Sequence, residues 1–439
     1  MTFVLALSGL GLLLAGGFAL RLAVPALGRL LLPVPLLAGL LGLAAGPHGL
    51  GLVPADVLAV WSAAPAALIT LVFAALYLGA PVPSFRAVAG DALPLARFSM
   101  VTALGQYVVG FLVTALVLTP VFGVSPLFGC LIEVGFSGGH GTASAMTAVF
   151  DGLGFPAGGP LGQMSATIGL IAGVLGGLAL IQWGVARGHA SAIGDASVSL
   201  PDAARRPVPP EARRPVALGT VPAAMIEPLA LHLAVLSLAV LAGWALWSGL
   251  RAMGPAFDGF PLFPMAMIGG MFVQAAADRT GLAAWLDRGS FERLMGLSLD
   301  LLVTAAVASM RLDLVAQYLL PFAILMAAAV AWVIATFLWL APRMLPRAWF
   351  EQAIVVYGTQ TGVAAVGLLL LRVVDPDGRT PAARAFAARS IVTSPLVGGG
   401  FVTAAMPPLV AGAGVWPVLA ATTAVVLACW LWPSPRITA

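Results

Sequence analysis

Phe128-Gly-Cys-Leu-Ile-Glu-Val-Gly-Phe-Ser-Gly-Gly-His-Gly-Thr-Ala-Ser-Ala-Met-Thr-Ala-Val-Phe150 is the stretch from which the rest of the chain is read. It is long and apolar enough to enter a bilayer, yet its middle resists being a helix. Gly138, Gly139 and Gly141 each weaken a helix by about 1 kcal/mol relative to alanine. Ser137, His140 and Thr142 put polar groups where lipid penalises them. Broken, polar backbone at bilayer depth persists only where protein buries it or where it lines a watery cavity.

The surrounding composition fits a membrane setting. Of 439 residues, 61% are hydrophobic and 9% charged, far too little charge for the surface of a soluble protein of this size. Long apolar runs without period-2 alternation indicate helices and not a barrel. All 21 basic residues are arginine. Without lysine there is no Schiff base to retinal or pyridoxal phosphate and no ordinary P-loop. An ion gradient or facilitated passage is left as the energy source. Cys130 and Cys429 suggest no disulfide framework, and His48, His140, His189 and His232 lack metal-ligand spacing. No organic cofactor and no nucleic-acid partner is implied. Residues 2–20 carry no basic n-region, so an uncleaved first helix with its amino end outside is expected.

Apolar segments lie near 2–20, 30–45, 57–79, 98–119, 126–150 and 161–183. A Pro- and Arg-rich linker occupies 184–222. Further segments lie near 226–250, 261–277, 294–316, 318–341, 351–371, 388–412 and 415–432. The halves echo each other: Pro33-Val-Pro-Leu-Leu-Ala-Gly-Leu-Leu-Gly resembles Pro261-Leu-Phe-Pro-Met-Ala-Met-Ile-Gly-Gly, Pro94 matches Pro321, and the broken fifth segment matches Gly358-Thr-Gln-Thr-Gly-Val-Ala-Ala-Val-Gly. An interrupted segment at the same place in two weakly similar halves points to a transporter's binding site.

Arginine placement sets the expected topology. If every segment crossed, the linker arginines would fall outside, against the positive-inside rule. If 128–150 and 351–371 are re-entrant, only Arg251 and Arg311 stay outside. The fold expected is therefore all-α and polytopic, with two inverted-topology repeats of five transmembrane helices plus one re-entrant hairpin each. The first repeat is 1–183, the linker 184–222 is cytoplasmic, the second repeat is 223–412, and 413–439 is an extra C-terminal helix and tail that ends in the cytoplasm.

The chemistry centres on the breaks. Interrupted helices expose N–H groups suited to a carboxylate, while freed carbonyls and the Ser137 and Thr142 hydroxyls suit a small cation. The plainer alternatives are glycines that permit close helix packing and a His140 that is simply satisfied in the core. Glu133, Asp300 and Glu351 are acids within apolar segments, where ionisable groups serve as cation ligands or proton carriers; snorkelling is the competing explanation, most of all for Glu351. Arg372 could meet an anionic group or anchor the segment at the cytoplasmic face. Gly135-Phe-Ser-Gly-Gly spells the serine-nucleophile pattern, which has meaning only with a base held nearby.

Ser-Gly-Gly-His-Gly-Thr at 137–142, together with the Pro-rich second segment, Phe291-Glu-Arg-Leu-Met-Gly-Leu-Ser-Leu and residues 351–367, resembles the bacterial sodium/glutamate symporters over about residues 1–410. The resemblance implies a multi-pass protein of the bacterial inner membrane, a homodimer, and sodium-coupled uptake of glutamate or a similar small anionic amino acid or carboxylate by an elevator movement. It implies substrate contacts at Ser137, Gly138, Gly139, His140, Gly141 and Thr142, and in the second half at Thr359, Gln360 and Thr361; Arg372, at the close of its segment, is a further candidate by its charge alone. Sodium ligands are expected among Ser137, Thr142 and Asp300, and a coupling role at Glu133. The chain departs from the family in three ways. It reads Gly358-Thr-Gln-Thr-Gly where glutamate-specific relatives carry a longer Gly-rich run with Thr-Pro-Thr, it has Glu133 in place of a small polar residue, and it has an additional last segment. The rivals are a proton-coupled or exporting carrier of another organic anion, a channel, and an intramembrane serine protease.

Overall fold

Apolar runs become helices here because lipid leaves the backbone no partner but itself. The computed structural model describes residues 1–24, 27, 32–79, 92–190, 213, 215–254, 260–376 and 378–432. Most of the linker expected over 184–222 falls outside the described residues. Among those described there is no strand, and seven helices are long and apolar enough to cross a membrane. Together with four shorter apolar helices, they make this a multi-pass membrane protein. Large apolar side chains such as Phe3, Leu12, Leu241 and Trp244 are exposed, as lipid-facing residues are.

The chain forms two compact units. Unit 1 comprises Met1–Val82, Ser144–Val149 and Pro201–Arg311. It holds α1 (Thr2–Ala23), α2 (Val34–Ala45), α3 (Ala55–Ala75), α9 (Pro228–Ala252), α10 (Leu262–Thr280) and α11 (Arg288–Ala308). Small residues let these helices approach closely. A Cβ on Gly17 would lie 2.7 Å from the Ala38 nitrogen, and one on Gly39 would lie 2.5 Å from Val307. Pro33 and Pro261, matched in the sequence, cap α2 and α10 alike. In the connection before α11, Asp287 accepts hydrogen bonds from the Leu218 N–H at 3.1 Å and from both the N–H and the hydroxyl of Ser290. Burial works to raise this carboxyl; the donors on Leu218, Ser290 and Gly289 outweigh it and hold the group below its ordinary value. The described end of the linker is thereby tied to unit 1.

Unit 2 comprises Pro83–Ala143, Phe150–Leu200 and Leu312–Ala439. Its first long helix, α4 (Ala92–Phe122), contains a π-helical turn at Thr114–Leu118 just before Pro120. The broken stretch follows as α5 (Leu131–Phe136), α6 (Gly139–Ala145) and α7 (Thr147–Gly152), of which Ser144–Val149 is counted with unit 1, and then comes the long α8 (Gly158–Ala186) in unit 2. The short α12 (Leu312–Gln317) precedes α13 (Leu319–Met344), which repeats the device of α4: a π turn at Thr336–Leu340 before Pro342. A proline has no N–H for the carbonyl one turn back, and a π turn absorbs the mismatch. Its recurrence at one place in each half extends the echo seen in the sequence. Next come α14 (Trp349–Val374), α15 (Ala382–Thr393), α16 (Phe401–Ala413) and α17 (Val415–Leu431).

One sequence expectation is corrected here. The apolar segment 388–412 is not one helix but two, α15 and α16, separated by Ser394 to Gly400. Pro395 and three consecutive glycines interrupt it, with Gly398 and Gly399 at φ +73° and +96°, a backbone that side chains with a Cβ disfavour. The extra C-terminal helix is present as α17. Arg97 on α4 caps its end, donating to the carbonyl oxygens of Cys429 at 3.0 Å and Trp430 at 3.3 Å.

Candidate functional site

Three interruptions of helix meet within unit 2. The first is the turn between α5 and α6. The N–H groups of Ser137 and Gly138 both reach the Glu133 carbonyl, ending α5, and Gly139 reverses the chain at φ +71°. The chain has doubled back by residue 155, since the Phe128 and Phe155 rings lie 6.0 Å apart, between centroids, at the two ends of the stretch. The second interruption lies inside α14, at Gly362 (φ −141°, ψ 36°) and Val363 (φ 62°, ψ 175°). A Cβ on Gly358 would sit 2.6 Å from Gly367 Cα, whereas an unbroken helix would hold those residues about 13 Å apart. This segment also turns back on itself. The third is the Ser394 to Gly400 break.

The tips touch. A Cβ on Gly139 would lie 2.6 Å from Val363 Cγ1, and one on Gly398 would lie 3.3 Å from the Ser137 carbonyl oxygen. Gln106, buried on α4, joins them: its Nε2 donates to the Gln360 carbonyl at 2.7 Å, and its Oε1 accepts from Ser137 Oγ at 3.2 Å. Ser137 Oγ also meets the Gln360 side-chain amide. A hydroxyl has one proton, and Gln106 is fixed by its second bond, so the Gln360 contact is satisfied when its NH₂ faces Ser137. Glycines on α8 make room for both doubled-back segments. Gly162 lies beside Ala143, Gly173 beside Thr361, and Gly177 beside Leu370.

Glu133 is fully buried and ties the first and third breaks together. Its Oε1 accepts from the Gly398 N–H at 2.7 Å and from Thr403 Oγ1 at 3.0 Å, and its Oε2 accepts from the Tyr107 hydroxyl at 2.7 Å. Three donors converging on one carboxylate offset the cost of removing it from water.

The residues singled out in the sequence separate as follows. Ser137, Gly138, Gly139, His140, Gly141, Thr142, Gln360 and Thr361 all belong to unit 2, at or beside the first two breaks. His140 Nε2 pairs with Thr167 Oγ1 at 3.0 Å, while Thr359 and Thr361 bond carbonyls of their own helix. Among the described residues, the buried Thr142 Oγ1 has no hydrogen-bond partner, and neither has Ser165 Oγ on α8. Arg372 is exposed in the last turn of α14. Asp300 lies on α11 of unit 1 and is exposed. Ser137 Oγ bonds Gln106 Oε1, and His140 Nε2 bonds Thr167 Oγ1. Gln106, Tyr107, Ser165, Gly398 and Thr403 escaped the sequence reading. A lone amide inside the apolar run Leu104-Gly-Gln-Tyr-Val and the Gly398-Gly-Gly run were the signals available.

Among the described residues, no cluster of three or more His, Cys, Asp or Glu side chains could hold a metal ion; oxygens of hydroxyls and carbonyls are what the breaks offer. No curated protein and no solved structure matches the chain. A family model described as "Sodium/glutamate symporter" matches residues 2–366, ending within the second arm of α14, short of the residue 410 to which the resemblance of the sequence extends. With most of its length matched, and with helices long and apolar enough to cross a membrane, the chain belongs to the sodium/glutamate symporter family and is a secondary transporter.

Proposed function

We propose that the protein carries out sodium-coupled symport of glutamate or a similar small anionic amino acid or carboxylate, with the site at the three breaks of unit 2. The observation that carries this reading is the meeting of the first two breaks, where Gln106 bonds Ser137 and the Gln360 carbonyl and Gly139 lies against Val363. Irregular backbone of this kind, buried in a transporter, is where substrates and coupling ions bind. The two unpartnered hydroxyls, Thr142 and Ser165, are hard oxygen donors suited to sodium, and Ser137 is a further candidate. Substrate contacts fall to Ser137, the Gly138 to Thr142 run, Thr359, Gln360 and Thr361.

In this reading the doubled-back segments 128–150 and 351–371 are re-entrant from opposite faces, and the two halves are repeats of inverted topology. The amino end lies outside the bacterial inner membrane, and the linker and carboxyl end lie in the cytoplasm. All three breaks belong to one unit, which supports an elevator in which unit 2 carries the site while unit 1 serves as a dimerising scaffold. Sodium offsets the charge of the substrate, so only the loaded or the empty carrier passes the apolar barrier.

Glu133 supports a second reading, in which its carboxylate takes a proton in place of sodium. The test uses the full chain in proteoliposomes with labelled L-glutamate. Uptake driven by an inward sodium gradient supports sodium coupling. Uptake unchanged when choline replaces sodium at fixed pH refutes it, and uptake that then follows pH and is lost in Glu133→Gln supports the proton.

A further inference from the structure

Arg389 lies on α15, one turn before the third break, and is only 3% exposed. Its Nη1 donates to Thr393 Oγ1 at 3.1 Å, and its guanidinium stands 4.6 Å above the Phe386 ring centroid. Nε is buried and has no partner among the described residues. A guanidinium presents five N–H donors in a rigid fork, and one hydrogen bond uses little of it. Among the described residues no carboxylate pairs with this group. Unpaired buried charge is costly and is normally matched by an opposite charge. A cytoplasmic anchor would be solvated, as exposed Arg372 is; Arg389 is not.

Its position joins it to the site. The carbonyl of Thr393 accepts the N–H groups of Leu396 and Val397 at the start of the break whose Gly398 borders Ser137 and bonds Glu133. The first half holds a counterpart. Thr167 bonds the Gln163 carbonyl at 3.1 Å on α8, as Thr393 bonds the Arg389 carbonyl at 3.2 Å on α15. The spacing between the two pairs is the spacing between the halves. Where the first half has an amide, the second has a cation that no carboxylate among the described residues neutralises. Arg389 also lies beyond residue 366, where the family match ends.

We propose that Arg389 receives a carboxylate of the transported substrate through its guanidinium fork, with Phe386 holding the plane in place. This assigns the substrate to molecules with a carboxylate to spare for the fork, such as acidic amino acids and dicarboxylates, and it rests on the symporter reading above. A neutral amide in place of that carboxylate leaves the buried cation unpaired, so the site rejects it.

The test is competition of unlabelled L-glutamate and L-glutamine against labelled L-glutamate in proteoliposomes with an inward sodium gradient. Wild-type protein is expected to prefer glutamate by about 30-fold or more. Arg389→Gln is expected to lose about 30-fold or more in apparent glutamate affinity, with the preference over glutamine falling to a few-fold. Arg389→Lys keeps the charge without the fork and is expected to fall between the two; it serves alone if Arg389→Gln does not accumulate. Undiminished preference for glutamate in either variant overturns the assignment. If wild-type protein takes up no glutamate under any gradient, the symporter reading of the substrate fails on its own. In that case a thermal shift of wild-type protein by succinate or malate, absent in Arg389→Lys, upholds the role of Arg389, and no shift by any carboxylate overturns it.

Discussion

Gly358→Ala distinguishes a doubled-back α14 from a continuous helix by the sign of its effect. On a continuous exposed helix, alanine in place of glycine stabilises by about 1 kcal/mol. In the structure the added Cβ would meet Gly367 Cα at 2.6 Å, Gly367 N at 2.7 Å and the Val366 carbonyl carbon at 2.9 Å. All three are backbone atoms, so no side chain can swing away and the two arms must part. Overpacking of this kind costs about 1–3 kcal/mol, and the upper part of that range applies where only backbone can yield. Subtracting the helix gain leaves a net loss of about 1–2 kcal/mol. The assay is the unfolding midpoint in a graded series of denaturing detergent, followed by circular dichroism, with sodium-driven uptake measured on the same preparation. A second variant, Gly367→Ala, whose Cβ would meet Thr359 Oγ1 and the Val355 carbonyl, is expected to behave alike. A Gly358→Ala protein stabilised by about 1 kcal/mol would refute the doubling back and, with it, the contact between tips.

Other consequences are open to measurement. Gly139→Ala places a Cβ on a residue at φ +71°, 2.6 Å from Val363 Cγ1; left-handed backbone costs about 1–2 kcal/mol outside glycine, and uptake should fall at least tenfold while the protein still reaches the membrane. Glu133→Ala strands the Gly398, Thr403 and Tyr107 donors in the interior at about 1–3 kcal/mol each, so accumulation should collapse; Glu133→Gln, which keeps an acceptor oxygen and offers Tyr107 an amide, should accumulate, as size-exclusion profiles will show. Asp287, held below its ordinary value, adds stability that is complete above its unfolded value of about 4 and is lost as pH falls through the lower folded value. The deficit of Asp287→Asn relative to wild type should thus be constant at neutral pH and shrink below about pH 4, measured as a midpoint difference.

The sequence showed the breaks where chemistry and helix propensity conflicted most. At 137–142, three glycines and three polar side chains in an apolar stretch favour a break over a packed helix, and Gly358 and Gly362 mark the second break to within a residue of Val363. The break at 394–400 is as glycine-rich, but hydropathy averaged it into the apolar segment 388–412, because glycine and valine both read as apolar. Gln106 carried too faint a signal: one amide in a run of apolar residues can be satisfied anywhere, and only the fold brings it to Gln360 and Ser137. Asp300 and Arg372 stand out in the sequence by charge alone, and burial is a tertiary property: both are exposed, whereas Glu133 is fully buried. Arg389, near the end of an apolar segment, looked like one more cytoplasmic arginine. The π turns before Pro120 and Pro342 were legible only as prolines late in apolar runs.

The most direct test is whether sodium and an anionic substrate bind together at the breaks. Thermal midpoints of the purified protein with acidic amino acids and dicarboxylates, in sodium and in choline, should rise only when sodium and a carboxylate are both present. That rise should vanish in Gln106→Ala, which removes the amide that bonds both Ser137 and the Gln360 carbonyl. A rise of equal size in choline, or one that persists in Gln106→Ala, would contradict a sodium-dependent site at the meeting of the three breaks.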